Sequence, residues 1–262
     1  MNTLLKVFKY QAKDAARSRW LLAYAAFFMV VTEILLRFSG DPIKVQLSLV
    51  SVVLFLVPLV SIVFGTIYLY NAREFIELLL AQPVNRRQLY GGLYLGLTLP
   101  LILAFVCGLG TPFLLHGSDS SAIGTLAWLL SAGVVLTAVF TAAASLIAIR
   151  CEDRLRGLGA AIGVWMLLTV AYDGFVLFVL AAFSSYPLER AALGLMMANP
   201  IDLARVSLLL RFDGAAMMGY TGAVFLDFFG RGYGIALTAA ALALWISLPL
   251  LFGMRAFDRK DF

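Results

Sequence analysis

The fold of this chain is decided by residues 45–70, which read VQLSLVSVVLFLVPLVSIVFGTIYLY. The stretch holds no charged side chain, and it is longer than the roughly 20 residues that an α-helix needs to cross the hydrocarbon core of a bilayer. Apolar residues occupy every side of such a helix, as expected where lipid or other buried helices surround it. We therefore predict a transmembrane helix here.

Five further apolar stretches of similar length predict five more transmembrane helices. They lie near residues 20–38, 93–115, 123–149, 157–183 and 232–254. The whole chain is 62% hydrophobic and 13% charged, whereas an average soluble domain is roughly 45–50% apolar and about 25% charged. The predicted fold is an all-α, polytopic membrane protein in which residues 1–262 form a single transmembrane domain.

The positive charges indicate the orientation of the chain in the membrane. Most of the 20 Lys and Arg residues lie in the amino-terminal segment, in the loops after the second and fourth spans, and at the end of the chain. Short loops that cross the membrane are depleted in positive charge, so we expect both termini in the cytoplasm. The net charge of +5 then reflects topology and contact with anionic membrane lipids, and we expect no binding to nucleic acid.

Residues 1–19 precede the first span and have the pattern of an interfacial helix. Lysine and arginine side chains occupy one side. The apolar side chains at helical spacing are Leu4, Leu5, Phe8, Ala12, Ala15 and Ala16. An amphipathic helix of this kind lies at the inner leaflet. The alternative is a simple basic extension of the first span.

Residues 71–92 form the longest predicted cytoplasmic connection and read as a short amphipathic helix, a proline break and a basic turn. Phe75, Leu78 and Leu79 share one predicted apolar face, and Glu74 and Glu77 lie elsewhere. Pro83 cannot continue the helix. Such a helix either docks in a groove of another protein or lies flat on lipid.

Residues 184–231 are too polar to span the membrane and too apolar for a free linker. The pieces 193–198, 203–210 and 215–229 predict short helices against or part-way into the outer leaflet, separated by Asn199-Pro200 and Asp213-Gly214. A re-entrant arrangement of this kind requires protein or water to satisfy the backbone.

Asp173 lies inside the fifth predicted span. A carboxylate at such a depth costs about 2.5–3.5 kcal/mol on insertion scales, so it has to face a partner or water, or stay protonated. One interpretation makes Asp173 part of a central pathway or a conformational switch. The other makes it a hydrogen-bonding residue between helices, with a polar partner near Tyr172 or on the first or second span.

Two methionine pairs lie in the outer region. They are Met196, Met197, Met217 and Met218. Thioether sulfur suits Cu(I), but methionine pairs in apolar helices also serve as packing residues, and both interpretations stay open.

Catalytic motifs are absent from the sequence. There is no G-x-x-x-x-G-K-[ST] phosphate loop, and the single histidine, His116, is not part of a Ser-His-Asp pattern. We expect this chain to be a non-catalytic subunit that binds no cofactor.

Two segments resemble the ABC-2 type transporter permeases. They are ELLLAQPVNR at residues 77–86, followed by Gly91 and Gly92, and RAFDRKDF at residues 255–262. The six-span layout and the amphipathic first segment also resemble that family. The resemblance implies a type V exporter-like permease with an interfacial amino-terminal helix and short extracytoplasmic helices before the last span.

This resemblance also implies partners. The chain would form a homodimer in the bacterial inner membrane and bind two cytoplasmic ATPase subunits, which would hold ATP and Mg²⁺. Residues 71–92 would couple the two kinds of subunit. The residues implied in this contact are Glu74, Phe75, Glu77, Leu78, Leu79, Gln82, Pro83 and Arg86.

Further segments resemble one branch of the family, the permeases of the transporter that matures the copper centres of periplasmic nitrous oxide reductase. They are GVWMLL at 163–168 with Asp173, MANPIDLAR at 197–205, FDG at 212–214 and MMG at 217–219. The resemblance implies a periplasmic copper-handling partner, with Asp173 on the path towards it. The implied contacts are Asn199, Pro200, Asp202 and Arg205.

The segment YNAREF at residues 70–75 departs from that branch, which has a more acidic, glycine-containing run there. Two other functions therefore stay open. One is an ABC-2 exporter permease for a lipid, a saccharide or a drug, and the other is a membrane scaffold without transport.

Overall fold

The computed structural model describes residues 3–39, 41–81, 84–116, 120–183, 194–211 and 232–259. All regular structure in these residues is helical. The helices are α1 (Thr3–Ala16), α2 (Arg19–Ser39), α3 (Pro42–Asn71), α4 (Arg73–Leu80), α5 (Arg86–Leu115), α6 (Ser120–Arg150), α7 (Arg154–Met166), α8 (Tyr172–Ala182), α9 (Pro200–Arg211) and α10 (Gly232–Arg259). A π-helical turn at Leu167–Ala171 joins α7 to α8.

The prediction of six spans is confirmed. Among the described residues, the stretches long and apolar enough to cross a membrane are Arg19–Ser39, Pro42–Asn71, Arg86–Leu115, Ala122–Arg150, Arg154–Ala182 and Ala236–Arg259. The predicted start of the third span at residue 93 was late. Helix α5 begins at Arg86 because the Asn85 side chain accepts a hydrogen bond of 3.0 Å from the Arg87 backbone N–H, which caps the helix in the polar region before the apolar run.

The core lies around α5 and α6, which are more than half buried, whereas only a small share of the fifth span and of α10 is buried. Phe105 of α5 meets Phe28 of α2 edge to face, with ring centroids 5.2 Å apart. At Gly108 the two helices touch at the backbone, since a Cβ there would lie 2.5 Å from the Ala25 carbonyl oxygen. The glycine lets the helices approach closely, as is common in membrane bundles.

Helix α1 is present as predicted, but of the predicted apolar face Ala15 is fully buried and Leu5 is exposed. The buried stripe is Val7, Gln11 and Ala15, and Leu5 of the predicted face is 55% exposed. The stripe packs on α5 at Gly96, and the Tyr68 hydroxyl of α3 bonds to the Gln11 side chain. A hydrogen-bonded glutamine can therefore be buried where the sequence pattern suggested a polar side. The alternative of a continuous extension of the first span is wrong, because α1 ends at Ala16 and α2 begins at Arg19.

One end of the bundle gathers α1, α4, the connection between α6 and α7, and the end of α10. The Tyr70 hydroxyl donates to the Cys151 carbonyl at 2.8 Å, and Arg73 Nη1 donates to the Glu152 carbonyl at 2.9 Å. We call this the α4 end.

Helix α9 is the described part of the region predicted to hold short helices, and residues 194–197 add one helical turn before it. It packs against α6, α3 and α10. Ile201, Leu203 and Leu208 are fully buried in these contacts. The predicted helix at 215–229 lies outside the described residues.

Candidate functional site at α4 and at the fifth span

Helix α4 presents a short exposed surface at its end of the bundle. Leu78 is 70% exposed, and Glu74 and Glu77 are also exposed. Ile76 is buried, and Leu79 packs partly against the core. The predicted apolar face of Phe75, Leu78 and Leu79 is therefore wrong, because the inward residue is Ile76 and Leu78 points away from the bundle.

Helix α4 is held to the bundle by the buried Ile76 side chain and by the hydrogen bond from Arg73 to the Glu152 carbonyl. Leu78 is left as an exposed apolar side chain on the same helix as the exposed Glu74 and Glu77.

Phe75 connects α4 to α1. Its ring stacks on Tyr10 with centroids 4.8 Å apart and an interplanar angle of 17°. Offset stacking of this kind contributes roughly 0.5–1.5 kcal/mol beyond the buried area. The stack is thus a direct contact between α4 and the amino-terminal helix.

Arg86 ties the start of α5 to the end of α10. Its Nη1 donates to the Asp258 carbonyl at 3.0 Å, and the neighbouring Arg87 forms an ion pair with the Asp258 carboxylate at 3.1 Å. A cation at the carboxyl end of a helix is favoured by the helix dipole. Sequence reasoning missed this contact because it joins residues 172 positions apart. Gln82 and Pro83 lie outside the described residues.

A cavity lies behind α4. It holds about 460 Å³, including the part open to solvent, and Ile76, Tyr90, Tyr94, Ser145 and Phe257 are among its lining residues. Inside it, the Tyr90 and Ser145 hydroxyls are 2.8 Å apart. Helix α4 therefore faces this partly open cleft through Ile76.

Asp173 lies one position after the first residue of α8, directly beyond the π-turn. Its Oδ2 accepts a hydrogen bond of 2.9 Å from Arg205 Nη1 of α9. The same nitrogen lies 3.1 Å from Asp202 Oδ1. The partner of Asp173 was expected near Tyr172 or on the first or second span, and the structure gives Arg205 of α9 instead. A second acid, Asp202, lies on the same arginine.

Asn199 joins the π-turn to α9. Its Nδ2 donates to the Leu168 carbonyl at 2.8 Å and to Asp202 Oδ2 at 3.1 Å. Its Oδ1 accepts from the Ile201 N–H at 3.1 Å, which makes Asn199 the N-cap of α9. Pro200 occupies the first helical position, where its missing N–H is harmless.

We call Asp173, Asn199, Asp202 and Arg205 the polar cluster. With Arg205 charged and both acids ionised, its net charge is −1. Burial raises the pKa of Asp202 to about 6; the nearby Asp173 carboxylate also raises it, and Arg205 acts in the opposite direction.

The polar cluster requires a correction to the predicted partner contacts. Asn199, Pro200 and Asp202 are buried among helices of this chain. Of the four predicted contact residues, Arg205 is the one that reaches the surface, with its side chain 36% exposed. Its partner Asp173 is 33% exposed. A partner that touches the cluster in this arrangement therefore meets the Arg205–Asp173 pair.

Residues 47–262 match the model described as ABC-2 family transporter protein. The chain belongs to the ABC-2 family. It is 28% identical over 271 aligned positions to a protein of Pseudomonas aeruginosa named probable ABC transporter permease protein NosY, with 97% of this chain and 94% of the relative covered. It is also 28% identical over 287 positions to the protein of the same name from Stutzerimonas stutzeri, with 99% of each chain covered.

This ABC-2 protein is therefore a multi-pass membrane permease, the component of an ABC transporter that associates with separate ATPase subunits. The predicted family and fold are confirmed.

Of the two methionine pairs of this ABC-2 permease, one lies within the described residues. Met196 and Met197 are half-buried in the helical turn before α9, and Met217 and Met218 lie outside the described residues. Among the residues that the structure describes, no group of three or more His, Cys, Asp or Glu could hold a metal ion. Metal binding by the methionines stays a prediction.

Proposed function

We propose that this permease couples ATP hydrolysis by its ATPase subunits to the maturation of the copper sites of nitrous oxide reductase in the periplasm. The observation that carries the proposal is the similarity over nearly the whole chain to two permeases named NosY. The segments MANPIDLAR and GVWMLL with Asp173 support the same branch. In this proposal the permease lies in the bacterial inner membrane as a homodimer, with both termini in the cytoplasm.

Helix α4 is the proposed contact with the ATPase. Leu78 would enter an apolar pocket, and Glu74 and Glu77 would face basic residues at its rim. The ATPase subunits would hold ATP and Mg²⁺, and this chain would contribute no catalytic residue.

The motion would spread from α4 through two contacts. The Tyr10–Phe75 stack links α4 to α1, and Arg86 links the adjacent start of α5 to the end of α10. ATP binding can drive such a motion only if these contacts differ between two conformations. On the periplasmic side, the exposed Arg205–Asp173 pair would meet the copper-handling partner, which carries the copper as cargo.

The first test is purification of the tagged permease from its native membrane in a mild detergent, followed by mass spectrometry of the proteins recovered with it. We expect an ABC ATPase and a periplasmic copper-binding protein. An ATPase alone would favour an exporter of a lipid, saccharide or drug. Recovery of neither would favour a scaffold.

A matched pair of variants tests the α4 contact. Leu78 and Leu155 are 70% and 78% exposed, and Leu155, in the first turn of α7, follows the connection that contacts α4. We expect Leu78→Ser to reduce ATPase recovery at least tenfold and Leu155→Ser to leave it unchanged. Equal recovery with both variants would remove α4 as the docking element.

The maturation role needs its own test. A denitrifying bacterium lacking its permease of this type is complemented with this chain and its ATPase, and the copper content of the purified nitrous oxide reductase is measured. We expect copper to be restored by the wild-type chain and not by Leu78→Ser. A copper-free reductase in the presence of an active, assembled transporter would contradict the maturation role and leave the ABC-2 permease assignment intact.

A further inference from the structure

The polar cluster links two elements through one nitrogen atom. Arg205 Nη1 lies 2.9 Å from Asp173 Oδ2 on α8 and 3.1 Å from Asp202 Oδ1 on its own helix. One contact holds α9 to the fifth span, and the other stays within α9. Nη1 carries an N–H for each carboxylate, so the two acids share the positive charge of one guanidinium.

We propose that the polar cluster is a proton-operated latch between the fifth span and α9, in which protonation of Asp202 leaves Arg205 to Asp173 alone. The proton comes from solvent and binds a carboxylate oxygen of Asp202, while Arg205 stays charged throughout. Loss of the negative charge on Asp202 removes its hold on Arg205 and tightens the contact between helices. Release of the proton restores a second negative charge, which shares Arg205 and repels Asp173, and this loosens the contact.

Burial makes Asp202 the acid that takes the proton. Its side chain is 7% exposed, whereas that of Asp173 is 33% exposed. The charged form of the more buried acid is the less well solvated, and the raised pKa of Asp202, about 6, agrees with that order. Asp173, the more exposed acid, keeps the contact with Arg205.

Among the residues that the structure describes, few other titratable or charged groups lie where they could control Asp202. From α8 it faces Asp173 and the Tyr172 hydroxyl, and from its own element it faces Arg205 and the Asn199 amide. The helices α3, α6 and α10 also pack on α9. In the described range their charged residues lie near helix ends: Lys44, which pairs with Asp41 at 3.7 Å, Arg150, Arg255, Asp258 and Arg259.

The backbone at the latch departs from a regular α-helix at Leu167–Ala171. The π-turn has wider hydrogen bonding than an α-helix, and such turns occur often at functional sites. Asn199 donates to the Leu168 carbonyl inside this turn and to Asp202. A change in the charge of Asp202 is therefore passed to the fifth span through Asn199 as well as through Arg205.

Infrared spectroscopy tests the proton site directly. The purified full-length permease is placed in nanodiscs of zwitterionic lipid, and the carboxylic acid C=O band is followed from pH 4.5 to 8. We expect a band that titrates near pH 6, because burial of Asp202 disfavours its charged form. Asp202→Asn should abolish this band.

Two neighbouring variants should move the midpoint in opposite directions. Asp173→Asn removes a negative charge and should lower it, whereas Arg205→Gln removes a positive charge and should raise it. Asp258→Asn, at the α4 end, is the control and should leave it unchanged. A band that persists in Asp202→Asn, or a midpoint that neither neighbour moves, overturns the proposal. Should Arg205→Gln fail to fold, the nearly isosteric Asp173→Asn decides alone.

Hydrogen exchange tests the latch itself. Amide exchange in α9, corrected for the intrinsic effect of pH, should be at least threefold slower below the midpoint than above it. Asp202→Asn should show the slow rate at every pH. Corrected exchange in α9 that is independent of pH in the wild-type protein overturns the latch, and it leaves the proposed contact of α4 with the ATPase untouched.

Discussion

Asn199 forms three hydrogen bonds from a fully buried side chain, to the Leu168 carbonyl, the Asp202 carboxylate and the Ile201 N–H. Each bond satisfies a group that is shielded from water. Leaving such a group unpaired in a protein interior costs about 1–3 kcal/mol. The local sequence predicted the turn at Asn199-Pro200, but the partner Leu168 lies 31 positions away and leaves no local signal.

We expect Asn199→Ala to destabilise the fold by about 2–4 kcal/mol, since it removes a helix cap and leaves buried groups unpaired. Asn85→Ala is the matched control, because Asn85 also caps a helix but is exposed; its effect should stay near 1 kcal/mol. The thermal unfolding midpoints of both variants in the same detergent check the difference. Equal midpoints would show that the interior contacts of Asn199 contribute nothing.

Asp202 gives the stability of the fold a defined dependence on pH. Its pKa in the folded protein is about 6, above the ordinary value of 3.8, so the folded chain holds the proton more tightly than the unfolded chain. This contribution to stability is complete below about pH 4 and is lost as the pH rises through about 6. The wild-type unfolding midpoint should fall across this window, and Asp202→Asn should lack that part of the fall. An identical pH profile for the two proteins would contradict this assignment.

At the scale of elements, hydrophobic length predicted the helices well, and periodicity predicted their orientation poorly. Residues 45–70 predicted α3 because an uninterrupted apolar run has one physical solution in lipid. The inward residues of α1 and α4 depend on neighbours. Gln11 is buried because Tyr68 bonds to it, and Leu78 is exposed because Ile76 occupies the bundle. Such pairings are not encoded in the pattern of one helix.

The contact between α1 and α5 depends on Gly96. A Cβ at this position would lie 2.5 Å from the Gln11 Cβ, whereas one at Gly124 would meet nothing within 4 Å. We expect Gly96→Ala to destabilise the protein by about 1–3 kcal/mol through overpacking, and to raise hydrogen exchange in α1. Gly124→Ala should be neutral or slightly stabilising, since alanine favours a helix. Unchanged exchange of α1 in Gly96→Ala would show that the helix is held elsewhere.

At the scale of the whole molecule, the two cysteines report the orientation of the bundle. Cys107 is exposed on the surface of the α5 span, and Cys151 is half-buried at the α4 end. A charged maleimide needs the thiolate in water, so we expect it to label Cys151 from the cytoplasmic side and not to label Cys107. Labelling of inverted and right-side-out vesicles distinguishes the two sides, with Cys151→Ser as the control. Labelling from the outer side would reverse the proposed topology.

The π-turn in the fifth span determines how the two halves of that span are rotated relative to each other about the helix axis. A π-turn holds an extra residue, and each residue of an α-helix turns the chain by about 100°. The turn at Leu167–Ala171 therefore sets which side Tyr172–Ala182 presents, independently of Arg154–Met166. Deleting one residue of the turn, such as Thr169, would keep the span long enough for the membrane but swing Asp173 about a quarter of a turn away from Arg205. The same apolar composition would then form a helix with its single acid directed to a different neighbour.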